Sequence, residues 1–144
     1  MKSIGKLNHV PLSRYLELQK KLREKRHEVL LFLEHLPVLT AGINYNIANL
    51  LVTKEFLIES NIDLSFLPRG GDFTAHEPGQ LVIYPHVDLK KRGIKISKFA
   101  DLFLQAIRES IVEIWGIELI TDKNKPGLYL KNNEGLTAKE HNSD

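Results

Sequence analysis

Two glycine-containing breaks lie close together near the middle of the chain. Arg69 is followed by Gly70 and Gly71, and Pro78 and Gly79 come a few residues later. Glycine permits backbone angles that other residues avoid, and proline interrupts regular structure. The four residues between the breaks, 73–76, are therefore predicted to form a short extended segment held between two tight turns.

Helical and strand-like patterns flank this segment. Apolar residues recur at helical spacing over residues 11–27 and, most strongly, over residues 97–115, where Ser97 is the predicted N-cap. Apolar runs predict strands at residues 29–33, 80–84, 117–120 and 127–130, and residues 40–42 are predicted to form a turn. This order of elements is compatible with an α/β fold but does not by itself require one.

Composition sets limits on the class of protein. The chain has 144 residues, of which 42% are hydrophobic and 26% charged, which suits one globular domain and excludes disorder throughout. The net charge of +2 gives no argument for binding nucleic acid or a membrane. The first residues have no apolar stretch typical of a secretory signal, so a cytoplasmic protein is expected.

The residues between and around the breaks could form a binding site. Gly70 and Gly71 allow a ligand to approach the backbone and leave N–H groups unmasked, and Arg69 adds a fixed cation. Thr74 and His76 face the same side of an extended segment, and His76 exchanges protons near neutral pH. Such a set suits the carbonyl or carboxyl end of a ligand. A tight surface turn followed by a strand explains the same residues without any ligand.

A longer motif favours the first interpretation. Residues 69–85 read R-G-G-x-x-T-x-H-x-P-G-Q-L-V-x-Y-P, and this run resembles the signature of the octanoyltransferases of lipoate biosynthesis, the lipoate-protein ligase B family. Residues 34–42 resemble the His-Pro-Pro-x-x-Thr-x-Gly turn of the same family, and residues 127–130 resemble its Gly-Val-Trp strand. Leu36 stands where proline is usual, and Glu77 stands where glycine is common.

The resemblance implies a fold. Its members share an α/β architecture with biotin- and lipoate-protein ligases, in which helices flank a mixed sheet. In this chain the C-terminal strands of that fold are expected to be missing. Residues 1–134 are then an incomplete octanoyltransferase domain, and residues 135–144 are a polar tail that does not match the family.

The resemblance also implies a reaction. Members move octanoyl from octanoyl-acyl carrier protein to a lysine of the lipoyl domains of 2-oxoacid dehydrogenases or of the glycine cleavage H protein. The transfer passes through an acyl-cysteine thioester. The resemblance implies no cofactor or metal, and no nucleic acid or membrane as a partner. The residues that match the acyl-binding segment of the family are Arg69, Gly70, Gly71, Asp72, Phe73, Thr74, Ala75 and His76.

The chain contains no cysteine. The cysteine and lysine of the family lie beyond the Gly-Val-Trp strand, and Lys139 does not stand in a matching context. No catalytic residue is therefore assigned, and we expect a truncated, inactive octanoyltransferase. Two alternatives stay open: an ATP-dependent lipoate or octanoate ligase relative, and a non-catalytic acyl- or partner-binding module.

Two further patterns give weaker signals. The basic side of the first predicted helix carries Lys20, Lys21, Arg23, Lys25 and Arg26, which suits a solvated face or, alternatively, a surface for an acidic carrier protein. Residues 132–135 predict a hairpin turn, but the polar residues 137–144 cannot supply a returning strand. His27 and His35 flank the strand at 29–33 and show no functional signal.

Overall fold

The protein is described by a computed structural model over residues 4–122 and 127–130. The chain divides into two compact units, which meet in sequence between Asp88 and Leu89. The first unit contains strands β1 (Ile4–Val10), β2 (Val29–His35), β3 (Val38–Ala41), β4 (Asp63–Phe66), β5 (Phe73–His76) and β6 (Val82–His86), helices α1 (Leu12–Glu24) and α2 (Lys54–Glu59), and a 3₁₀ turn (Ile47–Asn49). The second unit contains α3 (Ile96–Trp115), β7 (Leu119–Ile120) and β8 (Tyr129–Leu130).

The first unit holds two three-stranded sheets, and both are mixed. In the first sheet β2 lies between β1, which runs parallel to it, and β6, which runs antiparallel. In the second sheet β3 lies between the parallel β4 and the antiparallel β5. The α/β class with mixed sheets and flanking helices, which the sequence resemblance implies, is confirmed.

The core of the first unit lies between α1 and β2. Leu12 and Tyr15 of α1 pack with Leu31 and Leu33 of β2, and Val38 at the start of β3 completes the cluster. Burial alternates along β2, because successive side chains of a strand point to opposite faces. The predicted strand at 29–33 is therefore confirmed, but only every second residue of its apolar run is buried.

Several local predictions differ from the structure. Strand β1 has no predicted counterpart, and Thr40 and Ala41 end β3 instead of forming the predicted turn. The strand predicted at 80–84 begins two residues later, at Val82, and extends past Pro85 to His86. Proline is tolerated there because β6 is an edge strand of the first sheet, where a missing N–H breaks no central ladder.

The second unit confirms the strongest predicted helix with one correction. Helix α3 begins at Ile96, with Lys95 as its N-cap residue, so the prediction of Ser97 as the N-cap is wrong. Strands β7 and β8 pair antiparallel, with Leu119 opposite Leu130. The turn predicted at 132–135, the polar tail and Lys139 lie outside the described residues. Within those residues, every helix is too short or too polar to cross a membrane.

Leu33 tests the packing of the first unit. Its side chain is 1% exposed within the core cluster, so Leu33→Ala should lower the free energy of unfolding by about 2–5 kcal/mol through lost burial and a residual cavity. Leu36→Ala is the matched control, because Leu36 is 42% exposed. Urea unfolding measures both variants, and equal losses would contradict this packing.

Candidate functional site

The turn at residues 69–72 is built against Gly42, just after β3. The amides of Gly42 and Ile43 donate to the carbonyl oxygens of Asp72 and Arg69 at 3.1 and 2.8 Å, and the next amide, that of Asn44, donates to Gly71 at 3.3 Å. A Cβ atom at Gly42 would stand 2.9 Å from the carbonyl oxygens of Arg69 and Gly70, and closer still to that of Gly71. The turn thus fits its support only because residue 42 has no side chain.

The Arg69 side chain holds this turn from the inside. Its Nη2 donates to the carbonyl oxygen and the hydroxyl of Thr40 at 2.7 and 2.8 Å, and to the carbonyl oxygen of Asp72 at 2.9 Å. Its Nη1 donates to the carbonyl oxygen of Gly70 at 2.9 Å. Arg69 was predicted to be a fixed cation, and the structure shows that its donors bind backbone and Thr40 oxygens of the chain itself.

The carbonyl oxygens and the amides of this turn differ in their hydrogen bonding. The carbonyl oxygens of Arg69, Gly70, Gly71 and Asp72 all accept hydrogen bonds from the chain. Within the described residues, the amides of Gly70 and Gly71 have no acceptor, and both glycines are exposed. Gly71 has φ of +87°, a conformation that glycine adopts at little cost. Neighbouring free amides of this kind suit an oxygen ligand that carries negative charge.

Asp72 anchors the same turn to the segment after β3. Its carboxylate accepts hydrogen bonds from the backbone amide of Asn46 at 3.0 Å and from the side-chain amide of Asn49. The bond from Asn49 contributes most to holding the pKa of Asp72 below its usual value, and that from Asn46 adds to it. Asp72 therefore orders residues 46–49 beside the turn.

A partly exposed aromatic cluster lies beside the turn. The ring of Tyr45 meets the rings of Phe66 and Phe73 edge to face, with centroids 5.3 and 5.8 Å apart. Tyr45 is 44% exposed and Phe66 is 58% exposed. Phe73 thus places an apolar surface within the predicted site.

Strand β5 carries the remaining predicted site residues toward the other end of the second sheet. Phe73 pairs with Ala41, and His76 pairs with Val38. The carbonyl oxygen of Thr74 accepts from the buried Thr40 hydroxyl at 3.2 Å, while the Thr74 and Ala75 side chains are exposed. The turn residues 69–72 and His76 therefore mark opposite ends of one short strand.

His76 has an unusual environment. Its Nδ1 atom is buried without a hydrogen-bond partner among the described residues. Burial lowers the pKa of His76 below its usual value, and the positive charge of Arg69 acts in the same direction. A neutral imidazole in this place has one nitrogen that can donate and one that can accept.

His35 is the residue that sequence reasoning missed. It is fully buried, with Nδ1 2.8 Å from the carbonyl oxygen of Val10 and Nε2 2.9 Å from the hydroxyl of Tyr84. Its ring meets that of His76 edge to face at 5.5 Å, and Tyr84 stacks on Tyr15 at 3.8 Å. Two signals could have revealed it: the period of two along β2, which places His35 on the buried face, and its position as the histidine of the His-Pro-Pro-like turn at residues 34–42.

A cavity of the first unit lies away from residues 69–76, and the described residues contain no group of metal ligands. A cavity of about 770 Å³ between β1 and α1 is lined by Arg14, Tyr15 and Lys21 among others, and by none of residues 69–76. Across residues 4–122 and 127–130, no group of three or more histidine, aspartate or glutamate side chains is placed to hold a metal ion. The substrate-binding role of residues 69–76 stays a prediction.

Gly42→Ala tests the close approach at the turn. The added methyl group would overlap three carbonyl oxygens, so the free energy of unfolding should fall by about 1–3 kcal/mol or more. Gly70→Ala is the matched control, because a Cβ atom there meets nothing within 4 Å. Urea unfolding and amide exchange at residues 42–44 measure the effect. Equal stability of the two variants would contradict the described contact.

The partly buried His76 and His86 predict a pH dependence of stability. Burial lowers the pKa of His86 as well as that of His76, so both bind protons less well in the folded state than in the unfolded chain, where the ordinary value is 6.5. Their contribution is fully present above the unfolded value and is lost as the pH falls below it. Urea midpoints should therefore decrease on acidification, and His76→Asn should make that decrease less steep. An unchanged slope in His76→Asn would argue against a lowered pKa of His76 in the folded state.

Comparisons with known proteins agree with this architecture. Residues 10–134 match the family model of the lipoyl protein ligase A/B catalytic domain. Octanoyltransferases of Leptospira borgpetersenii (strain JB197) and Leptospira interrogans (strain Fiocruz L1-130) are 56% and 52% identical over 133 residues. These alignments cover 92% of this chain but only 61% and 62% of the relatives.

Solved structures show the same fold at low sequence identity. LipL1 of P. falciparum in complex with lipoate has a TM-score of 0.58 at 15% identity, over 83% of this chain and 38% of that protein. Protein Ta0514 of T. acidophilum with bound lipoic acid has a TM-score of 0.57 at 18% identity, over 88% of this chain and 55% of that protein. Since the family model spans most of the chain, this protein belongs to the lipoyl protein ligase A/B catalytic-domain family.

Proposed function

We propose that this chain carries the acyl-binding part of an octanoyltransferase. The reaction of such an enzyme moves octanoyl from octanoyl-acyl carrier protein to a lysine of lipoyl domains, in the cytoplasm. The proposal assigns the acyl site to residues 69–76 and the domain to residues 1–134. The identity to Leptospira octanoyltransferases supports the octanoyl class.

The free amides of the glycine turn carry this proposal. An acyl carbonyl, or the oxyanion formed when its thioester is attacked, is an oxygen acceptor that suits two adjacent N–H donors. Gly70 and Gly71 offer those donors, and Arg69 and Gly42 hold the backbone so that the amides need not reorganise when a ligand arrives.

The apolar cluster supplies a surface for the hydrocarbon chain. Tyr45, Phe66 and Phe73 lie beside the turn, so an acyl group bound at the amides can lay its chain on their rings. Each methylene removed from water contributes about 0.8 kcal/mol. This contribution favours an eight-carbon chain over shorter ones.

His76 would contact the polar part of the ligand from the other end of β5. Its lowered pKa keeps the ring neutral near pH 7, so that it can donate one hydrogen bond and accept another. Thr74 lies two residues away on the same strand and shares its face with His76.

Binding and turnover are separate parts of the proposal. The 144 residues contain no cysteine, so they cannot by themselves form the acyl-cysteine thioester that the family resemblance implies. We therefore expect these residues to bind an octanoyl group without transferring it.

A chain-length series tests the acyl site. N-acetylcysteamine thioesters of octanoate and hexanoate are titrated against the protein by calorimetry. Removal of two methylenes should weaken binding by about 1.6 kcal/mol, or roughly fifteen-fold. Phe66→Ala should weaken octanoyl binding, whereas Leu51→Ala, at an exposed position outside the aromatic cluster, should leave it unchanged. Equal affinity for both chain lengths would contradict an apolar acyl site.

A transfer assay tests the absence of turnover. The chain is incubated with octanoyl-acyl carrier protein, or with octanoate and ATP, in the presence of an apo lipoyl domain. Mass spectrometry of the lipoyl domain then shows whether its lysine carries an octanoyl group. No octanoylated product is expected. Product with octanoate and ATP would overturn the octanoyltransferase proposal in favour of an ATP-dependent ligase.

A further inference from the structure

His35 and His76 come from different sheets of the first unit and meet where β2 and β5 end. His35 is the last residue of β2, in the first sheet, and His76 is the last residue of β5, in the second. Their ring centroids are 5.5 Å apart with an interplanar angle of 68°. The buried ring of His35 therefore forms part of the wall against which His76 rests.

The hydrogen bonds of His35 fix where its proton lies. The carbonyl oxygen of Val10 can only accept, so Nδ1 at 2.8 Å must carry the proton. In the neutral ring Nε2 then has a lone pair, and the Tyr84 hydroxyl at 2.9 Å must donate to it. Both nitrogens of a fully buried imidazole are satisfied in this one arrangement.

Other protonation states fit the surroundings less well. A second proton on His35 would turn the Tyr84 oxygen into an acceptor, and the Tyr84 proton would have no partner among the described residues. It would also add a positive charge beside His76 and Tyr84, on both of which the charge of Arg69 already acts. The opposite tautomer would set the lone pair of Nδ1 against the lone pairs of Val10.

Tyr84 is itself held in place by packing. Its ring stacks on Tyr15 with a centroid distance of 3.8 Å and an interplanar angle of 19°. Tyr15 is 3% exposed in the core, and its hydroxyl accepts a hydrogen bond from Gln19 at 3.3 Å. A series of contacts therefore connects the core to His76. Tyr15 stacks on Tyr84, the Tyr84 hydroxyl bonds to His35, and the ring of His35 contacts that of His76.

We propose that His35 is a positioning residue of the ligand site: with its proton on Nδ1 and Tyr84 donating to Nε2, it fixes the ring of His76 in the orientation that contacts the polar part of the ligand. This inference rests on the proposed function for its last step only. The placement of the proton and the coupling to His76 concern the free protein, and they are testable without any ligand.

The first test reads the tautomers directly. Long-range ¹H–¹⁵N correlation spectra of the full chain at about pH 8 distinguish a protonated from an unprotonated ring nitrogen. We expect His35 to show a protonated Nδ1 and an unprotonated Nε2. A protonated Nε2 in neutral His35 would overturn the proposal.

The second test removes the Tyr84–His35 hydrogen bond from each side. Tyr84→Phe removes only the hydroxyl, and His35→Asn keeps a donor for Val10 but has no acceptor in the place of Nε2. Each should shift the ring resonances of His76 and weaken binding of the octanoyl thioester about three- to ten-fold, as expected for the loss of one hydrogen bond. His27→Asn, a change of the same kind at an exposed histidine, should alter neither.

The double variant separates positioning from general destabilisation. If both residues act through one hydrogen bond, the double variant His35→Asn with Tyr84→Phe should bind the thioester with about the same affinity as whichever single variant has the lower affinity. Independent, multiplying losses would overturn the proposal, and urea unfolding identifies any variant that has lost its fold. If the unaltered chain binds no octanoyl thioester, the proposed function fails, while the His35 tautomer and the His76 shifts still decide whether His35 positions His76.

Discussion

The guanidinium of Arg69 is the interaction on which the turn at residues 69–72 depends. Three of its four hydrogen bonds come from Nη2, which joins Thr40 of β3 to the carbonyl oxygen of Asp72. Thr40 is fully buried, so loss of the cation would leave its oxygens without their strongest donor. Together with the amides of residues 42–44, these bonds satisfy all four carbonyl oxygens of the turn, whereas the amides of Gly70 and Gly71 have no acceptor among the described residues. The charge also acts on Tyr84 and His76, so one side chain shapes both the backbone and the electrostatics of the site.

Sequence patterns predicted the helices and strands that depend on residues close together in the chain. The apolar run of β2, the face of α3 and the extended segment between two glycine breaks are all present. Strand β1 was missed because its pairing with β2, and not an alternating pattern of its own, makes it a strand. The direction in which Arg69 points was missed for a similar reason: its partner Thr40 lies 29 positions earlier, and no local pattern shows that contact.

The histidine pair shows the same limit at the site. His35 and His76 both stand in stretches that resemble family motifs, but the bonds of His35 reach Val10 and Tyr84, which are 25 and 49 positions away. A buried polar residue needs partners, and those partners exist only after both sheets have formed. The motifs therefore contain both histidines, and only the tertiary structure shows that their rings meet and which partners His35 has.

The order of strands along the chain also affects how this unit folds. Strands β3, β4 and β5 all lie between β2 and β6 in sequence, although β2 and β6 are neighbours in the first sheet. Closing that long loop costs entropy before the pairing stabilises it, and such non-local topology slows folding. During synthesis β1 is available to β2 at once, but the other edge of β2 stays unpaired until His86 has emerged. That edge is where intermolecular strand pairing would compete with folding, and it is closed only by the strand that also delivers Tyr84 to His35.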